Sequence, residues 1–158
     1  PIMRQRATSP KKPPRQPEVR RMIRRYAIAY VATGVAFALI DAIWLRTMYT
    51  RLYQTEIGSL LMDGLRWEPA ISFYLLYIAG IMVFAMRPAF ASGRWQTALV
   101  NGALFGFFTY MTYDLTNYAT LRVWSLKITL LDIIWGTVLT GSASLAGYWV
   151  TNLISGKN

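Results

Sequence analysis

The chain has 158 residues, 54% of them hydrophobic, and a formal net charge of +10. It contains no histidine and no cysteine. That excludes disulfides, His- or Cys-ligated zinc, haem or chlorophyll, and Ser-His-Asp or Cys-His catalysis by these residues, so proton chemistry falls to carboxylates, tyrosine, lysine or water.

The positive charge is concentrated at one end. Nine of the 17 Lys and Arg lie in the first 25 residues: Arg4, Arg6, Lys11, Lys12, Arg15, Arg20, Arg21, Arg24 and Arg25. The segment S-P-K-K-P-P-R-Q-P holds four of the seven prolines. Proline removes a backbone donor and blocks the preceding turn, so residues 1–19 are expected to be extended and not helical. Residues 1–25 thus read as a basic arm that ends in the collar R-R-M-I-R-R. Because the arm abuts a long apolar run, its expected partners are anionic lipid headgroups or an acidic protein surface, and not nucleic acid.

Four apolar segments follow, at about 26–45, 69–86, 97–118 and 128–153. Each holds about 18 residues or more, enough to cross about 30 Å of hydrocarbon as a helix. The first is longer than the apolar region of a signal peptide, and Trp44 and Arg46 stand where a cleavage site would need small residues, so it reads as a retained span. Residues 47–66 are expected to include a short interfacial helix. Pro69 suits the first turn of the second span, and R-P-A-F-A-S-G-R reads as a short turn into the third. The expected fold is therefore an all-α bundle of four transmembrane helices spanning residues 26–154. The basic arm places the N-terminus in the cytoplasm, and four spans return the C-terminus to the same side. A bacterial inner or intracytoplasmic membrane, or an organellar inner membrane, is the expected location. Trp44, Trp67, Trp95, Trp124 and Trp149 fall near predicted span ends, as an aromatic belt would.

The spans carry three carboxylates: Asp41, Asp114 and Asp132. In the four-span topology all three lie toward the outer leaflet, and Glu68 begins the second span at a similar depth. Asp41 precedes Trp44 in D-A-I-W, Asp132 precedes Trp135 in D-I-I-W, and Asp114 precedes Asn117 in Y-D-L-T-N. A spacing of three puts each pair on one helix face. Carboxylates at membrane depth are costly and tend to mark function. One reading is a polar pocket, open outward, built from Asp41, Tyr113, Asp114, Asn117 and Asp132 and able to donate and accept protons. The plainer reading is structural: near helix ends Asp can bond backbone donors, pair with Arg46, Arg122 or Lys127, or tie helices together. Gly102 and Gly106, and Gly136, Thr140 and Ser144, recur at intervals of four, a pattern that lets helix backbones approach closely.

The sequence resembles the bacterial membrane family DUF2177. The resemblance is carried by Y-A-I-A-Y-V-A-T, D-A-I-W-L and F-Y-L-L-Y-I-A-G-I-M-V-F-A-M-R-P-A. It continues in G-A-L-F-G-F-F-T-Y-M-T-Y-D-L-T-N-Y-A-T-L-R and L-L-D-I-I-W-G-T-V-L-T, covering about residues 24–150. It implies a four-span membrane fold and no particular reaction, with Asp41, Trp44, Asp114, Asn117, Asp132 and Trp135 as the motif positions. The proline-rich arm lies outside the resemblance.

Two functional expectations follow from the residues. The first is an accessory or scaffolding subunit of a larger membrane complex, of bioenergetic, photosynthetic or respiratory type, contributing helix packing, lipid contacts and a cationic arm. Lipids would be its bound molecules, with pigment or quinone held by partner subunits. An arm of this composition buries too little apolar surface to order itself, so an ordered arm would point to such a partner. The second is a membrane-embedded enzyme or transporter acting on a lipid or small apolar molecule through the carboxylates. A proton or cation pathway ranks behind both, because the inner halves of the spans offer few polar groups.

Overall fold

The structure, a computed structural model, describes residues 16–156. Among them every regular element is helical and none is a strand. Helix α1 (Gln16–Met48) continues through a π-helical turn (Tyr49–Tyr53) into α2 (Gln54–Ile57) and a closing 3-10 turn. Helix α3 (Trp67–Ile81) passes through a second π turn (Met82–Met86) into α4 (Arg87–Ser92). Helices α5 (Trp95–Thr120) and α6 (Leu126–Ser155) complete the bundle.

The arm differs from its sequence reading. Residues 16–25, expected to be extended or to form a collar, are the first turns of α1, which runs unbroken past residue 25. Pro17 is tolerated there because the first N–H groups of a helix have no intrahelical acceptor, and Glu18 favours the positive end of the helix dipole. Arg20, Arg21, Arg24 and Arg25 are therefore helical. Arg4, Arg6, Lys11, Lys12 and Arg15 lie outside the described residues, as does Lys157.

Among the described residues three helices are long and apolar enough to cross a membrane: Gln16–Leu60, Trp67–Ser92 and Leu126–Ser155. Helix α5, at 26 residues, spans about 39 Å and has the length. Its Thr, Asn, Gln and Asp side chains dilute its apolar character below that of the other three. It is nevertheless pressed along α6. A Cβ on Gly102 would strike Ser144 and the Thr140 carbonyl, and one on Gly106 would strike the Gly136 carbonyl and Thr140. A Cβ on Gly136 would enter the ring of Tyr110. On the far side of α6, a Cβ on Gly147 would run into Thr33 of α1. The five small residues singled out from the sequence thus meet one another inside the bundle. Between lipid-facing helices, where the hydrophobic effect supplies little drive, such close approach gains dispersion contacts.

The turn expected over residues 87–94 is shorter than predicted. Residues 87–92 extend the α3 helix, and the chain reverses only at Gly93, whose φ of +66° suits a residue without a Cβ. Pro88 lies inside this continuous helix. It cannot serve the carbonyl of Phe84 four residues earlier, and it follows closely on the π turn at Met82–Met86. Asn101 of α5 donates its side-chain amide to that carbonyl at 3.1 Å. Backbone groups freed by proline within a membrane are normally recovered in this manner.

The core combines Phe37, Ile81, Met86 and Leu139, all fully buried, with small residues at the crossings. Tyr77 reaches between α5 and α6, sharing hydrogen bonds of 2.9 Å with Thr109 and with Thr140. A smaller cluster of Leu52, Ile57, Trp124 and Ile128 closes the end of the bundle where α2 meets the start of α6. Lys127 pairs with Glu56 across that junction at 3.0 Å. Many large apolar side chains face outward, with Leu76 73% and Leu153 80% exposed, as a lipid-facing surface requires.

Candidate functional site

The three carboxylates lie at the same end of the bundle, and all are buried. Two of them form one network with the residues between α1 and α6. Asp41 of α1 accepts from the Tyr74 hydroxyl of α3 at 2.6 Å and from the Trp135 indole of α6 at 3.4 Å. Asp132 of α6 accepts from the Tyr53 hydroxyl at 2.6 Å, and Tyr53 in turn accepts from the Trp44 indole at 3.0 Å. The two indoles, Trp44 and Trp135, stack face to face at 4.3 Å between centroids and 8° between planes.

The two D-x-I-W segments therefore interlock. Each tryptophan stands one turn beyond its own aspartate, as the spacing requires, but serves the aspartate of the other segment. Trp135 reaches Asp41 directly, and Trp44 reaches Asp132 through Tyr53. Phenol and indole donors satisfy these carboxylates; Lys127 instead holds Glu56. Tyr53 and Tyr74 were not foreseen from the sequence. The available signal was that a tyrosine in an apolar run carries a hydroxyl that must find an acceptor. The π turn at Tyr49–Tyr53 carries Tyr53 to its place beside Asp132.

Asp114 differs. It is fully buried on α5, and neither carboxylate oxygen has a hydrogen-bond partner. Asn117, its expected partner one turn on, is only half-buried and supplies it no hydrogen bond. Tyr113 turns outward at 60% exposure and packs edge-to-face on Trp124 at 5.6 Å. The proposed pocket of Asp41, Tyr113, Asp114, Asn117 and Asp132 is thus divided: Asp41 and Asp132 belong to the closed network, Asp114 stands unpartnered, and Tyr113 faces out. Glu68 is exposed in the first turn of α3. Among the described residues no group of three carboxylates converges to hold a metal ion. The aromatic belt is also smaller than predicted. Trp67, Trp95 and Trp149 are exposed anchors, whereas Trp44 is in the network and Trp124 is buried at 8% exposure.

At the opposite end, Arg25 is held in place. Its guanidinium donates to Asn152 of α6 at 3.0 Å and lies 4.2 Å over the ring of Phe90. Phe90 stacks on Tyr148 and meets Tyr26 edge-on. Arg20, Arg21 and Arg24 remain exposed around it.

Long apolar helices, small-residue crossings and lipid-facing aliphatic surfaces define an all-helical integral membrane protein. Residues 26–149 match the model of the family described as "Predicted membrane protein (DUF2177)". The chain belongs to the DUF2177 family. No curated protein matches it, and no solved structure does.

Proposed function

We propose that the protein is a membrane-embedded enzyme or transporter acting on a lipid or small apolar molecule, with Asp114 as the group that meets the substrate. The observation that carries this reading is the contrast among the three aspartates. Asp41 and Asp132 are each held by a tyrosine at 2.6 Å, whereas Asp114 is equally buried and has no donor for either oxygen. A buried carboxyl without an internal partner costs stability, and proteins retain such groups for chemistry more readily than for packing. In this reading Asp114 donates or accepts a proton, or receives the polar head of the substrate, while the Asp41–Asp132 network holds α1, α3 and α6 around it.

Helix α5 is read as a fourth crossing helix because it packs along α6, which has the length and apolarity to span. Both chain ends then lie on the cytoplasmic side. The test is Asp114→Leu. Loss of an unpartnered polar group should leave the unfolding midpoint in detergent unchanged or raise it, while the lipid profile or solute uptake of cells dependent on the protein changes to that of the deletion. A variant that both unfolds more easily and keeps the wild-type phenotype would make Asp114 a structural residue.

The accessory-subunit reading rests on a different feature, the exposed Arg20, Arg21 and Arg24 beside lipid-facing helices. Such a basic end suits an acidic face of a larger membrane complex, which would supply any pigment or quinone. Purification from native membrane in mild detergent separates the two readings. Stoichiometric co-migration with other membrane subunits favours the accessory role, and migration alone favours the Asp114 site.

A further inference from the structure

We infer that the cytoplasmic end of the α1–α6 pair is a binding site for one lipid with an anionic phosphate headgroup. Two adjoining features of the bundle have the chemistry of the two parts of such a molecule. At the end, a cleft of about 350 Å³ is lined by Arg21, Arg24 and Arg25 of α1 and by Ser155 and Gly156 at the close of α6. Glu18 shares its rim, so three guanidinium groups against one carboxylate leave it net cationic. Beyond it, an apolar groove of about 660 Å³ follows the same pair of helices, lined by Ile28, Val31, Val35 and Leu39 of α1 and by Val150 and Ile154 of α6.

The two are continuous by helical geometry. Residues 21, 24, 28, 31 and 35 advance by three or four along α1, which places them in one stripe on one face. On α6, Val150 and Ile154 are one turn apart, and Ser155 follows directly. A chain lying in the groove therefore leads its polar end into the arginine cleft.

Two details make the cleft more than a run of basic residues. Arg25, one of the lining residues, is already held at the edge of the cleft by Asn152 and Phe90, which restricts its side-chain freedom. The Ser155 hydroxyl is buried and has no hydrogen-bond partner, and its residue lines the same cleft. A phosphate oxygen would accept from both kinds of donor, and arginine forks are well matched to phosphate. The exposed valines and isoleucine of the groove would lie against an acyl chain.

This site is at the other end of the bundle from Asp114, so its failure leaves the proposed function untouched. The test uses the full-length protein in mild detergent, given equal amounts of phosphatidylglycerol and phosphatidylcholine and examined by native mass spectrometry. One phosphatidylglycerol should be retained per protein in preference to phosphatidylcholine. The double variant Arg21→Gln/Arg24→Gln should weaken that retention about thirtyfold, at the usual worth of a basic side chain near an anionic lipid surface. Val31→Trp should weaken it by filling the groove, with the arginines intact. Both changes are at exposed positions, and the lipid preference of the unmodified protein tests the site without any variant. Equal retention of the two lipids would overturn the inference. So would full retention by the arginine variant, or displacement of the lipid by millimolar inorganic phosphate, which would make the cleft a site for free phosphate.

Discussion

Tyr53 and Tyr74 carry more of the architecture than their number suggests. Each donates to a buried carboxylate at 2.6 Å, and Tyr53 also accepts from Trp44. Replacing Tyr53 by Phe keeps the ring and removes only the hydroxyl. Asp132 and the Trp44 indole then lose their shared partner, a change worth about 1–3 kcal/mol for a buried polar group left unsatisfied. The expected outcome of Tyr53→Phe is a lower unfolding midpoint in detergent, opposite in sign to Asp114→Leu. The aspartates themselves were legible as intramembrane carboxylates at a common depth. Their division into two satisfied groups and one unsatisfied group was not, because it depends on side chains from α3 and the π turn that no local spacing brings to α1 or α6.

At the level of the element, the π turn, Pro88 and Asn101 act as one unit. Pro88 lies inside a continuous helix, and the Phe84 carbonyl it cannot serve takes its hydrogen bond from α5. Asn101→Leu should therefore destabilise the α3–α5 contact by about 0.6 kcal/mol, and by no more than about 1.7, the range measured for hydrogen bonds between membrane helices. In the Pro88→Ala background a backbone N–H is restored, and the Asn101 change should cost less; a double-mutant cycle on unfolding in detergent measures the difference. Gly106→Ala tests the other kind of contact. Its new methyl meets the Gly136 carbonyl and Thr140, backbone and a buried side chain that have little room to yield, so a loss of about 1–3 kcal/mol is expected. The positions of the helices were legible from lengths and apolar runs. Their ends were not: Pro17 and Pro88 read as helix breakers, yet one falls in a first turn and the other has its cost met by a distant asparagine.

For the whole molecule, the quantity to measure is the number of crossings. Helix α5 has the length of a span and a polar composition, and it is packed along α6. The chain has no cysteine, so single cysteines can be placed freely. With four crossings, cysteines replacing Asp63 and Arg122 should react with an impermeant maleimide from outside the cell, and one replacing Ser92 only after the membrane is opened. With α5 outside the bilayer, positions 92 and 122 would react from the same side. The sequence alone settles the membrane class, because apolar runs of this length have no stable alternative to helix in lipid. The sequence reads residues 97–118 as a fourth span, whereas in the structure α5 draws its place from the small residues facing it more than from its own hydropathy.

The face-to-face pair of Trp44 and Trp135 has an optical consequence. Two indoles held at 4.3 Å and 8° are close enough for their electronic transitions to mix. The folded protein should show a paired positive and negative band in its ultraviolet circular dichroism, absent in Trp44→Phe. Because one ring rides on α1 and the other on α6, the intensity of that signal would record, without any added dye, whether the two helices part at this end.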